Sequence, residues 1–427
     1  MLVIVGRMQR LLDLARQRAV YIWVIFAIPA AAILGHALAP NQAFFKGHDL
    51  GILLGLGLTL LALLLWFPFQ AQYRWPPLVW VFLSLTLVAW VYQVLRTQLD
   101  GSLFNLTAFA VPVLLLMIAL KPVASTDLRR ALLVLGYTLI AISFISLFLG
   151  QLNLMPNGFN VSDAGVERTG FLSIFGISSR WGGPFGSVNY SSPVGGLLVA
   201  LGLNVSGRHR YAFVVSGLAI LVLGQGRTAI VATVLAVGVF LLFSDRVRRS
   251  RYRVQIWVAT AVISAVAAIA YVRLFDATFN GRTPIWRDFI QLLGLDPLAG
   301  VGTTGILSYV ADNVGDPGFI PHTHAHSVLL DAAVRHGLAL TAIALAIYVV
   351  ALIAGIRALP KHGSGPLAIV VFVIVAGLAE TIYSWNYWSV YAAALTYVSM
   401  TGGLSDLNAS VGRSKPQHSL SWRGDGG

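Results

Sequence analysis

The 427-residue chain is 57% hydrophobic and 11% charged, with a mean hydropathy of +0.79 and a formal net charge of +13. Soluble domains carry roughly 25% charged residues, so the composition excludes an ordinary soluble fold, and repeated apolar runs of about 20 residues point to one polytopic helical bundle. Cysteine is absent, which excludes disulfides, thiolate chemistry and Cys metal ligands, and the positive charge collects in alternate short loops, not on the single basic face that nucleic-acid binding needs.

The chain begins with Arg7, Arg10, Arg16 and Arg18 ahead of its first apolar run. No small-residue cleavage site follows, so the run reads as a retained first helix and not as a removed signal. Hydropathy places spans at about 19–38, 50–67, 77–95, 103–120, 130–150, 190–206, 210–224, 228–244, 255–273, 338–356, 366–382 and 386–401. The expectation is therefore an all-α polytopic membrane protein with about 12 transmembrane helices.

An even number of spans puts both termini on one side, and the basic loops say which. The SDRVRRSRYR run at 244–253 is the strongest anchor, and with the N-terminal arginines it predicts an N-in, C-in arrangement. Residues 1–402 then form a single membrane domain with two long outer segments, 151–189 and 274–337. The stretch 403–427, poor in apolar residues, is expected to be a disordered cytoplasmic tail.

The second outer segment is the longest polar interruption in the sequence. Thr283-Pro284 followed by IWRDFIQLL predicts a helix, with Ile285, Trp286, Phe289, Ile290 and Leu293 able to share one side along a membrane surface. Gly294 and LDPLAGVG end it. After a Gly, Asp and Pro loop at 313–321, a second amphipathic helix runs from about His326 to Gly337 into the tenth span, with His326 or Ser327 in its opening turn, where backbone N–H groups lack partners.

Several side chains in these outer regions are suited to anionic or sugar ligands. Arg227, in LGQGRTAIV, sits at the junction of the seventh and eighth spans beside the bend-forming Gly224-Gln225-Gly226. An arginine near hydrocarbon either snorkels to headgroups or faces a wet pocket with an anion. Arg282 and Arg287 lie in and beside the predicted surface helix. A guanidinium presents a planar, permanently charged fork to phosphate oxygens, so two on one side suit a diphosphate.

His322, His324 and His326 form HTHAH. Extended, they would present three imidazoles on one face, a pattern some metals use. No acidic cluster with metal-ligand spacing accompanies them, so neither a metal nor a cofactor is expected. A single histidine near 326, leading a helix, is better placed to take a proton from a hydroxyl near neutral pH, with His322 and His324 shaping the loop or meeting sugar hydroxyls.

In the first outer segment, SSRWGGPFGSVNYSSP carries Arg180, Asn189 and Tyr190, with Trp181 or Tyr190 able to stack on a pyranose. Glu380, at the outer end of the eleventh span, is an intramembrane carboxylate that either meets a ligand or neutralises one of the arginines. Walker and Rossmann fingerprints are absent.

Four patches, RWGGPFGSVNYSS at 180–192, GQGRTAIV at 224–231, GRTPIW at 281–286 and HAHSVLLDAAVRHGL at 324–338, together resemble the bacterial O-antigen ligase and O-antigen polymerase superfamily. The match departs at Ser187-Val188, where members often carry His-Pro before the asparagine. What the resemblance implies is a membrane glycosyltransferase of C-type architecture, working on the periplasmic face of the bacterial inner membrane without nucleotide sugar or divalent metal. Its donor would be a glycan on undecaprenyl diphosphate, and its acceptor a saccharide or the lipid A core.

On that resemblance Arg227, Arg282 and His326 correspond to the catalytic positions. Arg180 corresponds to a contributing arginine, and Ser327 occupies a position often held by asparagine. The expected chemistry is inverting transfer, with the arginines neutralising the departing diphosphate and His326 activating or orienting the acceptor hydroxyl. Short outer loops tilt the expectation slightly toward a polymerase of O-antigen or exopolysaccharide over a ligase. A lipid-linked glycan transporter is the alternative from a different class.

Overall fold

The structure, a computed structural model, describes residues 20–38, 47–66, 75–99, 110–120, 124–151, 181, 188–244, 252, 255, 282–314, 323–380 and 389–413. Helices α1 (Val20–Leu38), α2 (Gly47–Trp66), α3 (Pro77–Leu99), α4 (Ala110–Leu120) and α5 (Ser125–Gln151) come first. They are followed by α6 (Val188–Gly202), α7 (Arg208–Gly224) and α8 (Arg227–Phe243). The C-terminal half carries α9 (Arg282–Leu295), α10 (Gly302–Asn313), α11 (Val328–His362), α12 (Gly365–Ala379) and α13 (Val390–Arg413). Among the described residues the fold is all-α.

The expected twelve spans are not what the described residues show. Three helices are long and apolar enough to cross a membrane: Pro77–Arg96, Ser125–Phe148 and Val328–His362. Apolar stretches of 10–17 residues are found at Val20–Pro29, Leu56–Trp66, Val111–Leu120, Ser191–Gly202, Arg227–Phe243 and Gly365–Leu378; the first two lie within the longer α1 and α2, whereas α8 and α12 are helices of 17 and 15 residues, against about 20 needed for a hydrocarbon core. Hydropathy marks an apolar run whether or not it is long enough to cross. The expected span 210–224 ends where it was placed: Gln225 adopts a left-handed conformation, its N–H bonds back to Leu221 O at 2.8 Å, and α7 has only 17 residues. The ninth expected span, 255–273, falls almost wholly outside the described residues. With the twelve-span count gone, the parity argument for N-in and C-in goes too, and so does the C-type arrangement expected with it.

Three long apolar helices still make this a multi-pass membrane protein. α11 is at the centre of the packing, against α3, α12 and α13. Leu340, Ala344, Ile347, Ala351, Ala354 and Ala358 are buried along one stripe at three- and four-residue spacing. The small residues let helices approach closely, and a Cβ at Gly402 would overlap the Ala354 carbonyl. Elsewhere α1 pairs with α2 and α5, α6 with α7, and α8 with α12. Leu64, Leu95, Phe148, Val215 and Val349 are exposed on the outside, a surface that lipid hydrocarbon solvates. α13 continues to Arg413, into the stretch expected as a tail.

A second, smaller core lies at one end. Ile285, Phe289 and Leu292 of α9 bury against Ile306 of α10, Ala325 and Val334 of α11. Ile290 remains exposed, so the apolar side of α9 is spent mainly on protein, not on a membrane surface. Helix α10, in a stretch between the expected helix stop and the 313–321 loop for which no element was expected, supplies part of that core. The connection between α9 and α10 docks on α11 at Gly337, the one non-helical residue inside that helix (φ 83°). Leu338 N–H donates to Pro297 O (2.9 Å), Val301 N–H to Val334 O (2.8 Å), and Arg96 Nη2 of α3 to Gly300 O (3.0 Å).

Candidate functional site

Arg282 is the first residue of α9 and is 7% exposed. A permanently charged guanidinium is rarely buried so far unless paired. Its Nη1 donates to Thr228 Oγ1 at 3.2 Å, and its Nη2 donates to Glu380 Oε1 in a close ion pair. Glu380 stands just past α12 and is 5% exposed, so the carboxylate and guanidinium offset each other's desolvation. The arginine-neutralising reading of Glu380 is thus the arrangement seen, with Arg282 as its partner.

His326 approaches the same carboxylate from the other side. Its Nδ1 lies 3.7 Å from Glu380 Oε2, a buried oxygen with no hydrogen bond among the described residues. His326 takes a left-handed backbone conformation (φ 50°), uncommon for a side chain with a Cβ. The next residue, Ser327, caps α11, its hydroxyl accepting from Leu330 N–H. The His324 and His326 rings meet edge to face, 4.7 Å between centroids.

The histidine loop is held by Trp286, Asp331 and Arg335, to none of which the sequence reading gave that role. Trp286 Nε1 donates to Ala325 O at 2.8 Å, so α9 grips the loop between the two imidazoles. Asp331 Oδ1 accepts from Ala325 N–H at 3.2 Å. Arg335 clamps the other end: its Nε meets Asp331 Oδ2 at 2.9 Å, its Nη1 donates to Thr303 Oγ1 at 2.8 Å, and its Nη2 donates to Thr323 O. The signal was the four-residue step from Asp331 to Arg335, which puts them on one helix face. Burial, and then the neighbouring His326, hold the His324 imidazole below the usual histidine range.

Arg227 opens α8, half-buried, one residue before the Thr228 that receives Arg282. The bend ahead of it is built on α6: Gly226 N–H donates to Ser192 Oγ at 2.9 Å, and a Cβ at Gly224 or Gly226 would overlap that hydroxyl. Trp181 N–H donates to Leu223 O at 2.9 Å beside the same bend. Asn189 and Tyr190 fall in the first turn of α6.

Arg287 does not join Arg282. Its side chain is 71% exposed with Asp288 3.7 Å away. Arg180 and His322 lie outside the described residues. Among the described residues, no group of three His, Cys, Asp or Glu side chains is placed to hold a metal.

The site therefore joins the beginnings of α8, α9 and α11 to the end of α12. It presents cationic groups, an imidazole and a shared carboxylate at the end of a membrane bundle. Residues 212–345 match the family model described as O-antigen ligase. That segment contains Arg227, Arg282, His324, His326 and Ser327, while Glu380 lies beyond it. No curated protein matches the chain.

Proposed function

We propose that this chain, a member of the O-antigen ligase and polymerase superfamily by its residues 212–345, transfers a glycan from a polyprenyl diphosphate carrier to a hydroxyl acceptor at the extracytoplasmic face of the membrane. The observation that supports this most is the meeting of Arg282, Glu380 and His326, with Arg227 one residue from Arg282's second partner. Phosphate oxygens match the guanidinium fork, and a cation aimed at a leaving diphosphate stabilises charge as it develops. An imidazole at the same place accepts the acceptor hydroxyl's proton.

In this reading Arg282 and Arg227 hold the diphosphate, Arg180 contributes a third charge, and His326 activates or orients the acceptor for inverting attack at the anomeric carbon. Asn189, Tyr190, His322, His324 and Ser327 serve the sugar-binding side.

The description of the matched family favours a ligase, with lipid A core as acceptor, over the polymerase toward which the short outer loops tilted the sequence reading. Purified protein in liposomes, given undecaprenyl-diphosphate-linked glycan with and without core-lipid acceptor, tests this. A ligase releases carrier and forms product only with the core lipid. A product ladder from donor alone identifies a polymerase, and translocation of labelled donor with no new glycosidic bond identifies a transporter. Undiminished transfer after both Arg282→Ala and His326→Ala would overturn the site assignment.

A further inference from the structure

The carboxylate of Glu380 is placed between two groups that the proposed reaction uses at different moments. One oxygen is taken by Arg282, and the other is buried 3.7 Å from His326 Nδ1 without a hydrogen bond among the described residues. A mere counter-ion for Arg282 has no need to aim its second oxygen at an imidazole. The backbone of His326 is held at φ 50°, by a loop tied down through Trp286, Asp331 and Arg335. That is a cost the chain bears to keep the ring where it is.

We infer that Glu380 is a positioning residue for His326, exchanging its hold on Arg282 for the imidazole when the donor diphosphate arrives. The inference rests on the glycan-transfer reading above. An incoming diphosphate competes for the Arg282 guanidinium and repels the adjacent carboxylate. Released from Arg282, Glu380 accepts the Nδ1–H of His326, which fixes the tautomer with the lone pair on Nε2.

During transfer the acceptor O–H proton passes to Nε2. The acceptor oxygen bonds to the anomeric carbon as the bond from that carbon to the diphosphate oxygen breaks, and the diphosphate leaves with the electron pair. The Nδ1 proton stays on the ring, and Glu380 stabilises the imidazolium. Donor binding thereby precedes full activation of the base.

Glu380→Gln removes the acceptor that would hold Nδ1–H, so the ring is no longer fixed in the tautomer with its lone pair on Nε2. The substitution should lower kcat by about tenfold or more while donor KM holds or falls, since Arg282 is freed. An unchanged kcat would overturn the inference.

Nitrogen-15 NMR of histidine-labelled wild-type protein in nanodiscs, with His326→Gln assigning the resonance, gives a readout that needs no Glu380 variant to fold. The Nδ1–H tautomer in the presence of a lipid diphosphate supports the inference, and the Nε2–H tautomer overturns it. Failure of the underlying function is separable. In that case the wild-type protein forms no glycosidic bond, whereas failure of the inference alone leaves wild-type transfer intact, Arg282→Ala and His326→Ala inactive, and Glu380→Gln ordinary.

Discussion

Gly337 and Leu298 meet backbone to backbone. Gly337 takes φ 83°, and a Cβ there would overlap the Leu298 carbonyl oxygen. The contact is what lets the α9–α10 connection dock on α11, and α9 brings Arg282 into the site. Gly337→Ala therefore meets both a strained conformation, at about 1–3 kcal/mol, and a steric overlap. We expect destabilisation of about 2 kcal/mol or more in detergent unfolding, and loss of transfer as α9 lifts. Wild-type stability would show that the docking is not needed.

The pair of Arg282 and Glu380 is buried on both sides. Removing one partner leaves a charge without compensation, at about 3–5 kcal/mol. Arg282→Met should show that loss, and adding Glu380→Gln should recover much of it. A double-mutant cycle on thermal unfolding reads the coupling, which for contacting residues is about 0.5–3 kcal/mol. Simple additivity would mean that the ion pair does not hold the two helices' ends together.

Arg287 is exposed, with its acidic neighbour Asp288 beside it. Exposed pairs contribute about 0–1 kcal/mol. Arg287→Ala is expected to leave stability within about 0.5 kcal/mol and transfer near wild type, in contrast to Arg282→Ala. A loss of donor affinity in Arg287→Ala would place the diphosphate on the outer side of α9.

The His324 imidazole is held below its ordinary value of 6.5, chiefly by burial. Above 6.5 it is neutral folded or unfolded, so it costs nothing. As pH falls through 6.5 the unfolded chain takes up a proton that the folded chain still refuses. Stability is therefore lost with falling pH until the lowered folded value is passed. His324→Gln should flatten the fall in Tm on acidification from 6.5. An identical slope in both proteins would show that another group carries it.

Local sequence determined much of what is local here. Among the described residues the apolar runs are helical, Gln225-Gly226 makes the bend, Ser327 caps α11, and Arg227, Arg282 and His326 stand where motif order put them along the chain. These follow from side-chain chemistry acting over three or four residues. Tertiary structure decided that α8 and α12 stop at 17 and 15 residues, and that α10 exists to complete a core with α9. It also decided that Glu380, 98 residues from Arg282, is its partner, and that Arg287 faces away. The reason is physical: charge pairing and burial depend on which helix ends meet, and that meeting is set by packing across the bundle, to which a hydropathy window or a spacing rule has no access.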